Sequence, residues 1–307
     1  MLGYLLGAIA KRGSNTEEQL LESGLKFEKP IEDASEMSIK TVGSISELHQ
    51  GVVFAIKLLQ IYTYCGRAAW KMAMRAIDAL QAELKEHTQY QDEYTKCSLM
   101  YLTGVCKQAL GEDRTALNIY RRPELSLKNT TSKSVTPIRD LQALSALNAV
   151  SIMRSLPTES GDAEQRLADL GPYCESNPNK GIVSAYHILR AYDPDPAMTI
   201  IKIKQCLQAG LKPAQAVKNS RILSIIMNTM TGQFFTGIVG KQSINSASAG
   251  RTFAIRSQDP LWIAVGDGLC RDVLMRNGDV AGAAQAEQHL KLVMEKVPEN
   301  VRAKLAT

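Results

Sequence analysis

Aromatic residues make up only 6% of this 307-residue sequence, and no stretch of it alternates apolar and polar side chains convincingly enough to be a strand. Alanine and leucine are abundant instead, a mixture suited to helix packing and poorly suited to a β-sandwich. The six cysteines (Cys65, Cys97, Cys106, Cys174, Cys206 and Cys270) show no C-x-x-C spacing, which removes the common zinc arrangements. Each stands in an apolar helical setting, so buried, reduced thiols and a reducing compartment are expected. No basic segment precedes the apolar run Leu2–Ala10; Lys11-Arg12 follows it, the reverse of a secretion signal. The run also falls well short of the ~20 residues of a membrane span. It reads as a packed helix with an abrupt start, as expected of a chain lacking upstream partner helices. The sequon Asn129-Thr130-Thr131 matters only in a secreted protein.

Signatures of chemistry are also missing. Lys241 has Phe235 six positions before it and Gln242 after it, so a phosphate loop fails twice. Gly266-Asp267-Gly268 begins like a dinucleotide fingerprint, but Arg271 replaces the third glycine, and small residues for helix packing are the better reading. There is no H-E-x-x-H and no G-x-S-x-G, and His49, His87, His187 and His289 are scattered. Asp267 and Asp272 read as carboxylates on a solvated face or at a helix end. No catalytic residue, cofactor or metal ligand is therefore assigned, and the chain reads as a binding protein. A helical enzyme would require converging titratable groups that sequence does not reveal.

The net charge of +5 permits an acidic partner or nucleic acid without requiring either. Lys202, Lys204, Lys212, Lys218, Arg221, Lys241, Arg251 and Arg256 are spread through the later helices and read as a normally solvated face. Lys241, Arg251 and Arg256 are candidates for contact with an acidic partner or DNA phosphates. Aromatic residues are not interleaved among them as a single-strand platform would require.

Helical periodicity is what the sequence does contain. Between Gly232 and Ala286 a helix runs to about Ser257, and a second begins at Asp259-Pro260. In that second helix Trp262, Val265, Gly266, Leu269 and Val273 share one face. Asp259 is its cap and Asn277-Gly278 its stop, both residues tolerating a left-handed backbone. Upstream, helices are predicted at 2–11, 16–28, 45–64, 68–86, 90–110 and 115–121, with a polar loop over 28–46. Downstream they are predicted at 138–155, 162–175, 180–191, 197–210 and 213–231, with breaks at Leu156-Pro157, Asn177-Pro178-Asn179, Asp193–Pro196 and Lys212-Pro213. Gly104, Gly111, Ala116 and Tyr120 fit the small and aromatic positions of a tetratricopeptide hairpin, and Gly278 with Ala283 repeats the step from Gly111 to Ala116. The expected fold is all-α, an α-solenoid of tetratricopeptide-like hairpins. Residues 1–122 form a first set, 123–137 an exposed loop, and 138–307 a second set.

Several segments together resemble one family. They include Phe234-Phe235-x-Gly237-x-Val239-Gly240-x-Gln242, Ser246-Ala247-x-Ala249-Gly250 and Asp259-x-Leu261-Trp262-x-x-Val265-x-Asp267-Gly268-Leu269. Earlier come Tyr62-Thr63-Tyr64-Cys65-Gly66-Arg67-x-x-Trp70, Tyr101-Leu102-x-Gly104-Val105-Cys106, Ala116-Leu117-x-Ile119-Tyr120 and Asn177-Pro178-Asn179-Lys180. Spread over about residues 45 to 290, this array resembles the C-terminal part of the cohesin loading factor family, the tetratricopeptide subunit of the cohesin-loading complex, in its fungal branch especially. Ser243, where alanine is usual, and Ser248 are mild departures, and family members extend further at the N-terminus.

The resemblance implies a nuclear, chromatin-associated scaffold. It would bind an extended N-terminal segment of the large HEAT-repeat loader subunit, with cohesin and chromatin as indirect partners, and promote sister-chromatid cohesion. It implies no membrane and leaves direct DNA contact open. Tyr62, Arg67, Arg251 and Arg256 are the candidate partner-binding residues, while Trp70 and Trp262 read as core. A generic tetratricopeptide adaptor of another complex is the alternative.

Overall fold

The computed structural model describes residues 39–87, 92–126, 136–156, 159–192, 198–235 and 237–305. Helices expected at 2–11 and 16–28, the sequon and the Asp193–Pro196 break lie outside them. Among the described residues the chain forms thirteen α-helices and no strand, an all-α solenoid of helical hairpins. The helices are α1 (Ile39–Gly66), α2 (Trp70–Glu86), α3 (Glu93–Ala109), α4 (Asp113–Tyr120), α5 (Thr136–Arg154), α6 (Ser160–Glu175), α7 (Lys180–Ala191), α8 (Ile200–Ala216), α9 (Ser220–Phe234), α10 (Lys241–Ser257), α11 (Pro260–Arg276), α12 (Val280–Met294) and α13 (Glu299–Leu305). A 3-10 turn, Pro123–Leu125, follows α4 and buries Leu125. The chain divides into two compact units at Cys106 and Lys107.

One turn recurs four times. At Ala68, Gly111, Lys218 and Gly278 the backbone is left-handed, with φ of 55°, 81°, 52° and 81°. The next amide then reaches back five residues to a helix carbonyl: Ala69 to Tyr64 (2.9 Å), Glu112 to Lys107 (2.9 Å), Asn219 to Ala214 (3.1 Å) and Asp279 to Leu274 (3.0 Å). This bond satisfies a carbonyl orphaned at the helix end and turns the chain back on itself. Five residues beyond each left-handed position stands a buried apolar side chain: Ala73, Ala116, Leu223 and Ala283. Asn277 itself is right-handed, with φ −87°; only Gly278 takes the left-handed slot, and the Asn277 side chain is used otherwise, as shown below.

Helix starts are capped as the residue types require. Asn179, Thr199, Asn219, Asp259 and Asp279 each accept a hydrogen bond from an amide in the first turn of α7, α8, α9, α11 and α12. Two expectations fail. Helix α1 begins at Ile39, so 39–46 is helix and not loop; Ile39, Val42 and Ile45 recur at helical spacing, and a lone glycine such as Gly43 costs only about 1 kcal/mol. The break at Lys212-Pro213 does not occur either. Helix α8 runs through Pro213 to Ala216, because Ala214 is fully buried in the core and Val217 still donates to the Pro213 carbonyl at 3.2 Å. The true break is the left-handed Lys218.

In the first unit Phe54, Leu58 and Ile61 of α1 meet Ile77, Leu80 and Leu84 of α2 and Leu99 and Leu102 of α3, with Trp70 packed against them half-buried. In the second unit α5 touches α7, α7 touches α9, and α9 touches α11, while the helices between them make no comparable approach among the described residues. The odd-numbered helices therefore form the tighter of two layers. Close approach between neighbours depends on small residues. A Cβ on Gly171 would stand 2.8 Å from the Tyr186 hydroxyl, one on Gly210 3.3 Å from the Ser184 carbonyl, and one on Gly266 3.0 Å from the Arg251 Cα. The last helix of this unit returns to its first turn: Asn300 donates to the Leu110 carbonyl (3.3 Å), and Lys304 donates to the Gly111 carbonyl (3.2 Å) and pairs with Asp113.

All six cysteines are free and buried, with Cys65 and Cys106 sulfurs 3.7 Å apart. Burial pushes the Cys174 thiol up to about 12 and the Cys270 thiol up to about 11. Since only the thiolate reacts, the folded chain is expected to show no fast-reacting thiol to a disulfide reagent at pH 8, and six after unfolding. A second test contrasts two glycines of α11. Gly266→Ala forces its Cβ against backbone, an overpacking cost of about 1–3 kcal/mol that exceeds the gain in helix propensity. Gly268→Ala meets nothing within 4 Å and gains about 0.5–1 kcal/mol. Urea unfolding midpoints should move in opposite directions.

Candidate partner-binding surface

Of the four candidate residues, Tyr62 and Arg67 belong to the first unit. Tyr62 lies half-buried against the α1–α3 core, where burial first, and the neighbouring Tyr94 second, push its phenol above the usual range. Arg67 sits in the first of the four turns, its amide donating to the Thr63 carbonyl at 3.0 Å. Arg251 and Arg256 belong to the second unit, both on α10, and the structure separates their roles. Arg256 is exposed, its guanidinium 5.8 Å above the Phe253 ring. Arg251 donates through Nε to Asp267 Oδ1 at 2.5 Å.

Asp267 is the feature that sequence reading missed. It is 0% exposed, not solvated, and its second oxygen lies 2.6 Å from His289 Nδ1. One carboxylate thus joins α10, α11 and α12. The cause is local: Gly266 lets α11 approach the α10 backbone at Arg251, which brings a carboxylate on an otherwise apolar face to the guanidinium. The neighbours of Asp267 at three and four steps include Ile263, Ala264 and Cys270, and that apolar setting was the available signal, since a carboxylate there requires a partner. Asp272 is exposed and engaged by Arg271. Trp262 is half-buried.

Other recurrent motifs also hold the stack together. Asp140 of α5 accepts hydrogen bonds from Tyr173 (2.8 Å), Asn177 (2.9 Å) and Asn179 (3.3 Å), fastening the α6–α7 turn to α5. Burial, helped by Asp140, pushes the Tyr173 phenol up to about 12. Asp259 caps α11 and pairs with Arg221 at 3.0 Å. Ser243, fully buried, donates to the Gly240 carbonyl at 2.8 Å, so the hydroxyl in place of a methyl helps start α10.

What remains for a partner includes one stretch of helices with charge of a single sign. From Pro196 to Gln258 there is no Asp or Glu, against eight Lys and Arg. Arg221 and Arg251 are neutralised by Asp259 and Asp267, which lie just outside that span. The other six, Lys202, Lys204, Lys212, Lys218, Lys241 and Arg256, are exposed. An open cleft between α7 and α8 is lined by His187, Arg190, Met198, Lys202, Gln205 and Cys206. Burial lowers the His187 imidazole below its usual pKa, and Arg190 reaches Glu175 at 3.2 Å. Among the described residues no three His, Cys, Asp or Glu stand where they could hold a metal ion, and no helix is long and apolar enough to cross a membrane.

Compared with known proteins, residues 1–281 match the family model described as Cohesin loading factor. No curated protein and no solved structure matches the chain.

The two arginines of α10 should separate by experiment. Arg251→Ala leaves a buried carboxylate with His289 alone and is expected to cost about 2–4 kcal/mol. Arg256→Ala should stay within about 0.5 kcal/mol, as exposed positions usually do. Thermal or urea unfolding checks this; equal effects would contradict the assignment.

Proposed function

Since the chain belongs to the cohesin loading factor family, whose name ties it to cohesin loading, we propose that it works by binding and not by catalysis. In this reading it is the scaffold subunit that grips an extended N-terminal segment of the large HEAT-repeat loader subunit. It thereby promotes placement of cohesin on chromatin in the nucleus and sister-chromatid cohesion.

The observation that carries the reading is the continuous layer of α5, α7, α9 and α11. Repeated hairpins offer a long, regular surface on which many weak contacts add up. An extended segment suits such a surface, because it wraps a large area while losing ordering entropy on binding. The buried carboxylate of Asp267 is occupied in holding helices together. Tyr62 and Arg67 are contact residues of the first unit in this proposal.

The test is affinity capture with the N-terminal segment of the large subunit as bait and the folded chain as prey. Retention through washing is expected. Failure of a chain with intact helical circular dichroism would count against the reading and favour an adaptor of some other complex.

A further inference from the structure

Consecutive antiparallel helices place alternate ends on one edge of a stack, and three contacts fix such an edge in the second unit. The Tyr192 hydroxyl after α7 is 2.6 Å from Thr229 Oγ1 of α9. Lys204, near the start of α8, holds its ammonium 5.5 Å from the centre of the Phe234 ring at the end of α9. The Gly240 amide before α10 donates to Asn277 Oδ1 after α11 at 2.7 Å. The start of α8, the α9–α10 loop and the α11–α12 turn therefore lie side by side.

This edge is apolar where water should favour polar groups. Ile200 and Ile201 are 66% and 68% exposed, Val239 65% and Val280 62%, with Ile238 and Met275 close behind. A monomer surface seldom clusters large aliphatic side chains without a use for them. The α9–α10 loop presents two of them by means of its glycines: Gly237 and Gly240 hold φ of +85° and +137°. Between the aliphatic groups stand exposed cations, Lys202, Lys204, Lys241 and Arg276. Two acids at the α11–α12 end are occupied, Asp272 by Arg271 and Asp279 as the cap of α12.

We propose that this edge is a docking site for a second protein segment that carries aliphatic and acidic residues together. Charge complementarity selects the acidic component, since the helices α8, α9 and α10 contain no carboxylate of their own to compete. The exposed aliphatic groups select a peptide over nucleic acid, because phosphate contacts use cations alone and would leave these side chains in water. The site is distinct from the layer of α5, α7, α9 and α11 considered above, and stands or falls independently of it.

The test is fluorescence anisotropy of the full chain with a labelled peptide of leucine, valine, aspartate and glutamate. Controls are a peptide of serine, aspartate and glutamate, and a labelled DNA duplex. The mixed peptide should bind at least about tenfold tighter than either control. Ile238→Asp with Val239→Asp, or Lys241→Glu, should weaken it by a similar factor while circular dichroism is unchanged. Leu292→Asp, an exposed aliphatic residue on α12 away from this edge, should not. Equal binding of the all-polar peptide or of DNA, indifference to the loop substitutions, or no binding of the mixed peptide would each overturn the proposal.

Discussion

Close approach of helix backbones through small residues is the constraint on which the second unit depends. Gly210 sets α8 against the Ser184 carbonyl of α7, and Ser184 returns a hydrogen bond to the Gly210 carbonyl at 2.9 Å. Gly250 sets α10 against Asn228 of α9, and Gly266 sets α11 against Arg251 of α10. With few aromatic side chains to fill wide gaps, density comes from narrowing the gaps themselves. The same narrowing pulls polar groups inward, which is why a unit without a catalytic assignment still buries Asp267, Asn228 and Ser224.

Charge follows from that packing. Acid-free helices α8 to α10 would repel one another's lysines if nothing opposed them, and the opposing carboxylates come from the next helix. Asp259 and Asp267 take one arginine each from α9 and α10 and tie these helices to α11. The remaining cations are left at the surface, and the helices α8 to α10 carry charged side chains of a single sign. A protein that binds others over a long surface gains recognition and encounter rate from such a field.

Much of this was legible in the sequence, and the omissions have physical causes. The pair Gly111 and Gly278 gave away the repeated turn because glycine marks a left-handed position; Ala68 and Lys218 occupy the same position at a cost of about 1–2 kcal/mol and hide it. Pro213 resembled a stop because its ring forbids one hydrogen bond, yet burial of Ala214 carries the helix past it. Helix caps at Asn179, Asp259 and Asp279 depend on neighbours in sequence, and sequence shows them. Asp267 depends on Arg251 and His289, which are distant in sequence, and only the stacked helices bring the three together. The grouping of Ile200, Val239 and Val280 on one edge is invisible for the same reason.

Hydrogen–deuterium exchange of the chain with and without the large loader subunit's N-terminal segment tests the central claim most directly. Slowed exchange concentrated in α5, α7, α9 and α11 is the predicted result, since the tighter layer is the one proposed to hold the segment. Unchanged exchange throughout, or slowing confined to α6, α8, α10 and α12, would contradict it.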